Sequence, residues 1–143
     1  MKIEIITDIA EEPVSLSEVK TMLRITGSGH ESTFQSMIVA ARKYFEKALQ
    51  KSLGEKTLKV TSKDELEASD LPYGPNQEVT DAICDADGNH IYTYTTGYEE
   101  VPADIKQGII YLIKYWYDID DVAGTVPESV EKIIAVNTEL PML

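Results

Sequence analysis

The sequence predicts a mainly α fold: a small bundle of about four helices with a β-hairpin inserted between the second and third long helical segments. Three observations predict it. Apolar residues recur at three- and four-residue spacing along two stretches, Phe34 to Leu49 and Ile105 to Trp116. Helix-start signals stand at Ser15–Glu18 and at Pro102–Asp104. Two runs of β-formers flank Asp85-Ala86-Asp87-Gly88, which reads as a hairpin turn.

Lys2, Ile3, Glu4 and Ile5 alternate, so residues 1–12 read as an N-terminal arm or a short edge strand. Ser15 and Glu18 fit a capping box, with Val14 and Val19 placed as a hydrophobic staple. A first helix follows over about Leu16 to Ile25, and Gly27 is placed to end it. A longer helix is predicted from about Glu31 to Leu53, with Phe34, Met37, Ile38, Ala41, Phe45, Ala48 and Leu49 on one face. Its opposite face carries Lys43, Lys47 and Lys51 at successive four-residue steps, with Arg42 alongside. That stripe reads either as a solvated face or as a docking surface for an acidic neighbour.

Glu55–Asp70 is polar, with a short strand at Thr57–Val60. Leu71-Pro72-Tyr73-Gly74-Pro75-Asn76 excludes regular structure, because proline removes a donor and glycine loosens the backbone. Val79, Ile83, Ile91, Tyr92 and Tyr94 mark the two hairpin strands, Glu78–Cys84 and Asn89–Thr96. The next helix starts at Pro102 and runs to about Tyr117, with Ile105, Ile109, Leu112, Ile113 and Trp116 on one face. Ile110, Tyr111, Tyr115 and Tyr117 make its other sides apolar, which calls for a central position or cover from a second subunit. A final helix is read from about Pro127 to Val136, and residues 137–143 as a tail. The expectation is one domain over residues 1–143.

The chain of 143 residues carries 25 acids against 13 bases, a formal net charge of -12. The excess is not uniform. Residues 1–54 hold seven acids and seven bases, whereas residues 55–104 hold twelve acids and three bases. Such a balance excludes broad binding to phosphate backbones, which needs clustered Lys and Arg. Asp64, Glu65, Glu67 and Asp70 concentrate the acidity into a candidate pore or partner surface. The one cysteine, Cys84, excludes an internal disulfide, and its place in a strand pattern predicts a buried structural thiol. His30 and His90 read as surface histidines and do not form a metal-spaced pair. A calcium loop with its glycine at Gly88 needs an acid at position 83 and a glutamate at position 94; Ile83 and Tyr94 stand there, so the segment reads as a turn. No glycine-rich phosphate loop, nucleophile elbow, cofactor motif or catalytic pair is legible. No apolar run approaches the roughly 20 residues that span a bilayer. The expectation is a soluble, non-enzymatic chain made in the cytoplasm.

The order of the parts is more informative than any single residue. Pro13-Val14-Ser15-Leu16-Ser17-Glu18-Val19-Lys20 leads to Leu23-Arg24-Ile25 and then to a helix containing Ala40-Ala41-Arg42. Tyr94-Thr95-Thr96-Gly97-Tyr98 follows, then Val101-Pro102-Ala103-Asp104-Ile105-Lys106-Gln107 and Tyr115-Trp116-Tyr117. In this order, over Pro13 to Ile134, the chain resembles the tailed-phage head–tail connector family, also called head-completion or DNA-packaging adaptor proteins. Gly54–Glu78 lies outside the resembling motifs. Asp118-Ile119-Asp120-Asp121 is acidic where related proteins often carry an Asn-Arg-Glu type stretch.

The resemblance implies a ring of about twelve copies. That ring would join the portal of the DNA-filled head to a tail-completion or stopper protein, with duplex DNA passing through it. It implies a virion location at the head–tail junction, no cofactor and no catalytic residue. Within such a ring, the expected subunit contact draws on Arg42, Lys43, Lys47, Lys51, Tyr111, Tyr115, Trp116, Asp118, Asp120 and Asp121. The rival readings are an acidic DNA mimic or other inhibitor or binding module that occupies a DNA-binding protein, and a different tail-completion or stopper protein.

Overall fold

The computed structural model describes residues 1–27, 29–119 and 126–138. In chain order the elements are β1 (Lys2–Thr7), α1 (Leu16–Leu23), α2 (Glu31–Leu49), β2 (Lys56–Ser62), β3 (Glu78–Cys84), β4 (His90–Thr96), α3 (Ala103–Ile119) and α4 (Glu128–Thr138). They fall into two compact units, each assembled from two stretches of chain. Met1–Glu11 and Gln50–Glu100 form one; Glu12–Leu49 and Val101–Leu143 form the other.

The second unit is the helical one. Ser15 caps α1: the Glu18 backbone N–H donates to Ser15 Oγ at 3.1 Å, and the Ser15 N–H donates back to Glu18 Oε1 at 3.4 Å. Val14 and Val19, the predicted staple pair, are both fully buried. The helix stops at Leu23 because Arg24 turns left-handed (φ 57) and its N–H returns to Lys20 and Thr21. On α2 the predicted apolar face is buried at Phe34, Met37, Ile38, Ala41, Phe45 and Leu49. This helix ends at Leu49, earlier than its periodicity predicts, since Gln50 takes a positive φ of 55. Along α3, Ile105, Ile109, Ile110, Leu112, Ile113 and Trp116 are buried. A side chain at Gly108 would meet Phe45 Cζ at 2.8 Å and Ile133 Cδ1 at 3.3 Å, so glycine is what lets α2 and α4 approach α3 there. Asn137 Nδ2 donates to Asp104 Oδ2 at 2.8 Å and ties α4 to the start of α3.

The first unit corrects the predicted fold class. A hairpin inserted into a mainly α bundle is not what forms: β3 and β4 belong to a four-stranded, all-antiparallel sheet of order β1-β2-β4-β3. The predicted hairpin is present, and the arm at residues 2–7 is an edge strand as read. The difference is β2, which pairs with β1 on one side and β4 on the other and so converts a hairpin and an arm into one layer. Its residues alternate buried and half-exposed without a break, the pattern of a strand with one covered face.

That face is covered by the chain between β2 and β3. Leu58, Val60, Tyr92 and Tyr94 make a core with Leu71, and Leu66 and Tyr73 pack against it. Both buried tyrosines are satisfied by this cover. Tyr92 Oη accepts from the Leu66 N–H at 2.8 Å, and Tyr94 Oη donates to the Pro72 carbonyl at 2.7 Å. Thr96 Oγ1 donates to the Tyr73 carbonyl at 2.8 Å. The proline-rich stretch that excludes regular structure is therefore a tethered lid over the sheet.

Candidate docking surfaces

The predicted cationic stripe divides into residues of three kinds. Lys43 and Lys47 stand exposed on α2. Arg42 does not stand with them: it is buried, at 3% exposure. Its Nε and Nη2 donate to Glu12 Oε1 and Oε2 at 3.0 and 3.1 Å, and its Nη1 donates to Glu46 Oε1 at 2.9 Å. Burial opposes the Arg42 charge, but hydrogen bonds and charge from both carboxylates outweigh it and hold the guanidinium firmly protonated. The signal for this was in the helix spacing. Arg42 lies four residues after Ile38 and three before Phe45, on the buried face, with Glu46 one turn ahead.

Lys51 lies beyond the end of α2, in the sheet unit. There it is half-buried, with Nζ 5.9 Å from the Tyr98 ring centroid.

Asp64, Glu65, Glu67 and Asp70 are all exposed, and the fold brings them together at the start of the lid. The Asp64 N–H donates to Ser62 Oγ at 3.1 Å, and the Glu67 N–H donates to Asp70 Oδ2 at 3.0 Å, so the bend is locally braced. On α3, Trp116 is buried at 4% exposure, while Tyr115 is half-buried and Tyr111 is exposed at 41%. Among the described residues, the Trp116 indole N–H has no hydrogen-bond partner. Tyr117 packs on Phe34 with ring centroids 5.2 Å apart and the planes tilted by 40°. Asp118 is exposed; Asp120 and Asp121 lie outside the described residues.

Cys84 also differs from its prediction. It is exposed on β3, with Sγ 3.3 Å from His90 Nδ1, because β3 is an edge strand whose residues are all exposed. His90 stacks on Tyr92 at 6.4 Å and is half-buried. At the hairpin, Asp85 Oδ1 accepts the N–H groups of Asp87 and Asn89, each at 2.9 Å, which is a turn-forming role. The Asn89 and turn N–H groups hold the Asp85 carboxylate below its ordinary pKa. Among the described residues, no three His, Cys, Asp or Glu side chains converge on a metal-sized site, and no helix is long and apolar enough to cross a membrane.

A family model described as phage gp6-like head-tail connector protein matches residues 13–141. The chain belongs to the phage gp6-like head-tail connector family. As a connector it is a structural phage protein that joins head and tail. Among curated protein sequences, none matches. The connector fold is also found in solved particles. One chain in the neck of an empty gene transfer agent particle, computed with C6 symmetry, superposes with a TM-score of 0.75 at 17% identity, covering 100% of this chain and 98% of that one. Another, from the virion of a native gene transfer agent particle, gives 0.77 at 19% identity over the same shares.

Proposed function

We propose that copies of this connector close into a ring of about twelve at the head–tail junction of the virion, assembled in the host cytoplasm. In this reading the ring seats on the portal, receives a tail-completion or stopper protein below, and lets duplex DNA through without holding it. The observation that carries the reading is the family match over residues 13–141, supported by the likeness of the fold to chains of gene transfer agent particles, one from a neck. Cyclic assembly needs two different patches that meet between neighbours. Exposed Lys43 and Lys47 supply one; the acids at positions 64–70, or Asp118, supply the other. Tyr111 and Tyr115 add apolar area beside Asp118.

The acidic middle of the chain suits a bore. Carboxylates repel phosphates, so DNA slides past a lining of like charge instead of adhering. The experiment is ring assembly measured by light scattering in wild type and in Lys43→Glu/Lys47→Glu, across a salt series. Weakened assembly in the variant and at high salt supports charge docking. Assembly unchanged by both overturns it. Tight duplex binding by the isolated connector at physiological salt would overturn the non-adhesive bore.

A further inference from the structure

Among the described residues, no further strand pairs with either edge of the four-stranded sheet, and both edge strands present apolar side chains to solvent. Ile3 and Ile5 on β1 are 41% and 58% exposed, and Val79 and Ile83 on β3 are 38% and 53% exposed. Monomeric proteins commonly blunt sheet edges with charge, proline or cover, because unpaired N–H and C=O groups template further strands. We infer that β3 of one copy pairs with β1 of the next, so that one sheet runs through neighbouring subunits of the ring; this rests on the ring reading above.

Direction and side-chain rows support a second copy as the occupant, and charge weighs against β3 pairing with β3. The four strands alternate in direction, so β1 and β3 of one copy run oppositely, and a neighbour's β1 laid beside β3 continues the antiparallel ladder. The covered-face rows run Ile3–Val60–Tyr92–Ala82 and Ile5–Leu58–Tyr94–Val79. Continued straight across, they set the neighbour's Ile3 against Ala82 and its Ile5 against Val79. On the other face the same register sets the neighbour's Lys2 against Ile83, one diagonal from Asp81. Its Glu4 then faces Asp81, a like-charge opposition for which Lys2, 3.4 Å from Glu4 within one copy, is the nearest compensating cation on β1. Pairing β3 with a second β3 would crowd the Glu78 and Asp81 carboxylates of two copies together with no base on either strand. A β1–β3 contact joins two different patches, which is what a closing ring requires.

Disulfide trapping tests this. Ile3→Cys chains are mixed with Ala82→Cys chains, both carrying Cys84→Ser, and oxidised over a protein concentration series. Within one copy the two positions lie three strand spacings apart, about 14 Å, beyond disulfide reach. A bond between positions 3 and 82 therefore reports two copies. The expected result is a mixed 3–82 product, and a ladder of covalent oligomers from the double-cysteine chain. Ile3→Lys/Ile5→Lys, at positions already exposed, should keep the native circular dichroism and raise the midpoint concentration for assembly by about tenfold. Closed rings seen by electron microscopy without the mixed product would overturn edge pairing and leave the ring reading intact. Neither rings nor product at the highest concentration would overturn both. Like-with-like 3–3 or 82–82 products alone would also overturn it.

Discussion

Replacing Arg42 by methionine tests the physical account of the helical unit most sharply. The side chain keeps its apolar length but loses charge-assisted hydrogen bonds to Glu12 and Glu46. The two carboxylates do not suffer equally. Glu12 retains 26% of its side-chain exposure and is partly solvated by water, whereas Glu46 keeps 6% and would face a low-dielectric interior with its cation removed. Breaking one partner of a buried ion pair costs about 3–5 kcal/mol. Since only one of the two acids is deeply buried, the lower end, about 3 kcal/mol, is expected. That is a large part of the roughly 5–15 kcal/mol by which domains are stable, and corresponds to a fall in Tm of about 10 °C. Denaturant unfolding followed by helical circular dichroism measures it. Arg42→Met/Glu46→Leu should recover most of the loss, because an apolar pair of similar volume removes the stranded charge. A loss under about 1 kcal/mol in the single variant, or a double variant no better than the single, would refute the reasoning.

Three further expectations concern the caps, the lid and the hairpin. Ser15→Ala removes the half of the α1 capping box in which Ser15 Oγ accepts the Glu18 N–H, leaves the backbone half in place, and should cost about 1 kcal/mol in the same unfolding assay, with Ser15→Asp largely restoring it. Gly97 sits at φ 122, its N–H donates to the Pro75 carbonyl at 2.8 Å, and an added Cβ would strike the Gly54 carbonyl oxygen. Gly97→Ala should therefore cost more than about 2 kcal/mol and increase proteolysis of the lid, while Gly88→Ala, with open space around it, should cost less. Asp85 has its carboxylate pKa depressed in the folded turn, so its contribution is present above the ordinary value of 3.8 and is lost as pH falls through the lower folded value. Asp85→Asn should remove that part of the acid slope, read as hairpin amide exchange against pH.

The helices were legible because their information is local. The capping box at Ser15–Glu18, the staple at Val14 and Val19, and the spacing from Phe34 to Leu49 all lie within a turn or two of each other. The sheet was legible only in part, because its decisive contacts are not local. β3 and β4 declare themselves through the Asp85–Gly88 turn, but nothing near Lys56–Ser62 states that it pairs with Lys2–Thr7, some fifty residues earlier. The lid was illegible for the same reason. Leu66, Leu71 and Tyr73 are scattered at no regular period and gain meaning only once Leu58, Val60, Tyr92 and Tyr94 form the surface beneath them. Arg42 shows a different failure: it was grouped with its lysine neighbours by charge, although its place one turn from Ile38 and Glu46 puts it on the buried face.

The central claim is that this connector encircles the path of DNA at the portal. Negative-stain electron microscopy of the purified chain mixed with portal rings of its phage tests it directly. A second closed ring, stacked coaxially on the portal, is the expected result. Bare portals beside a persistent monomer would contradict the claim. If that monomer also inhibits a DNA-binding enzyme in trans, its acidity belongs to mimicry of DNA and not to a passage for it.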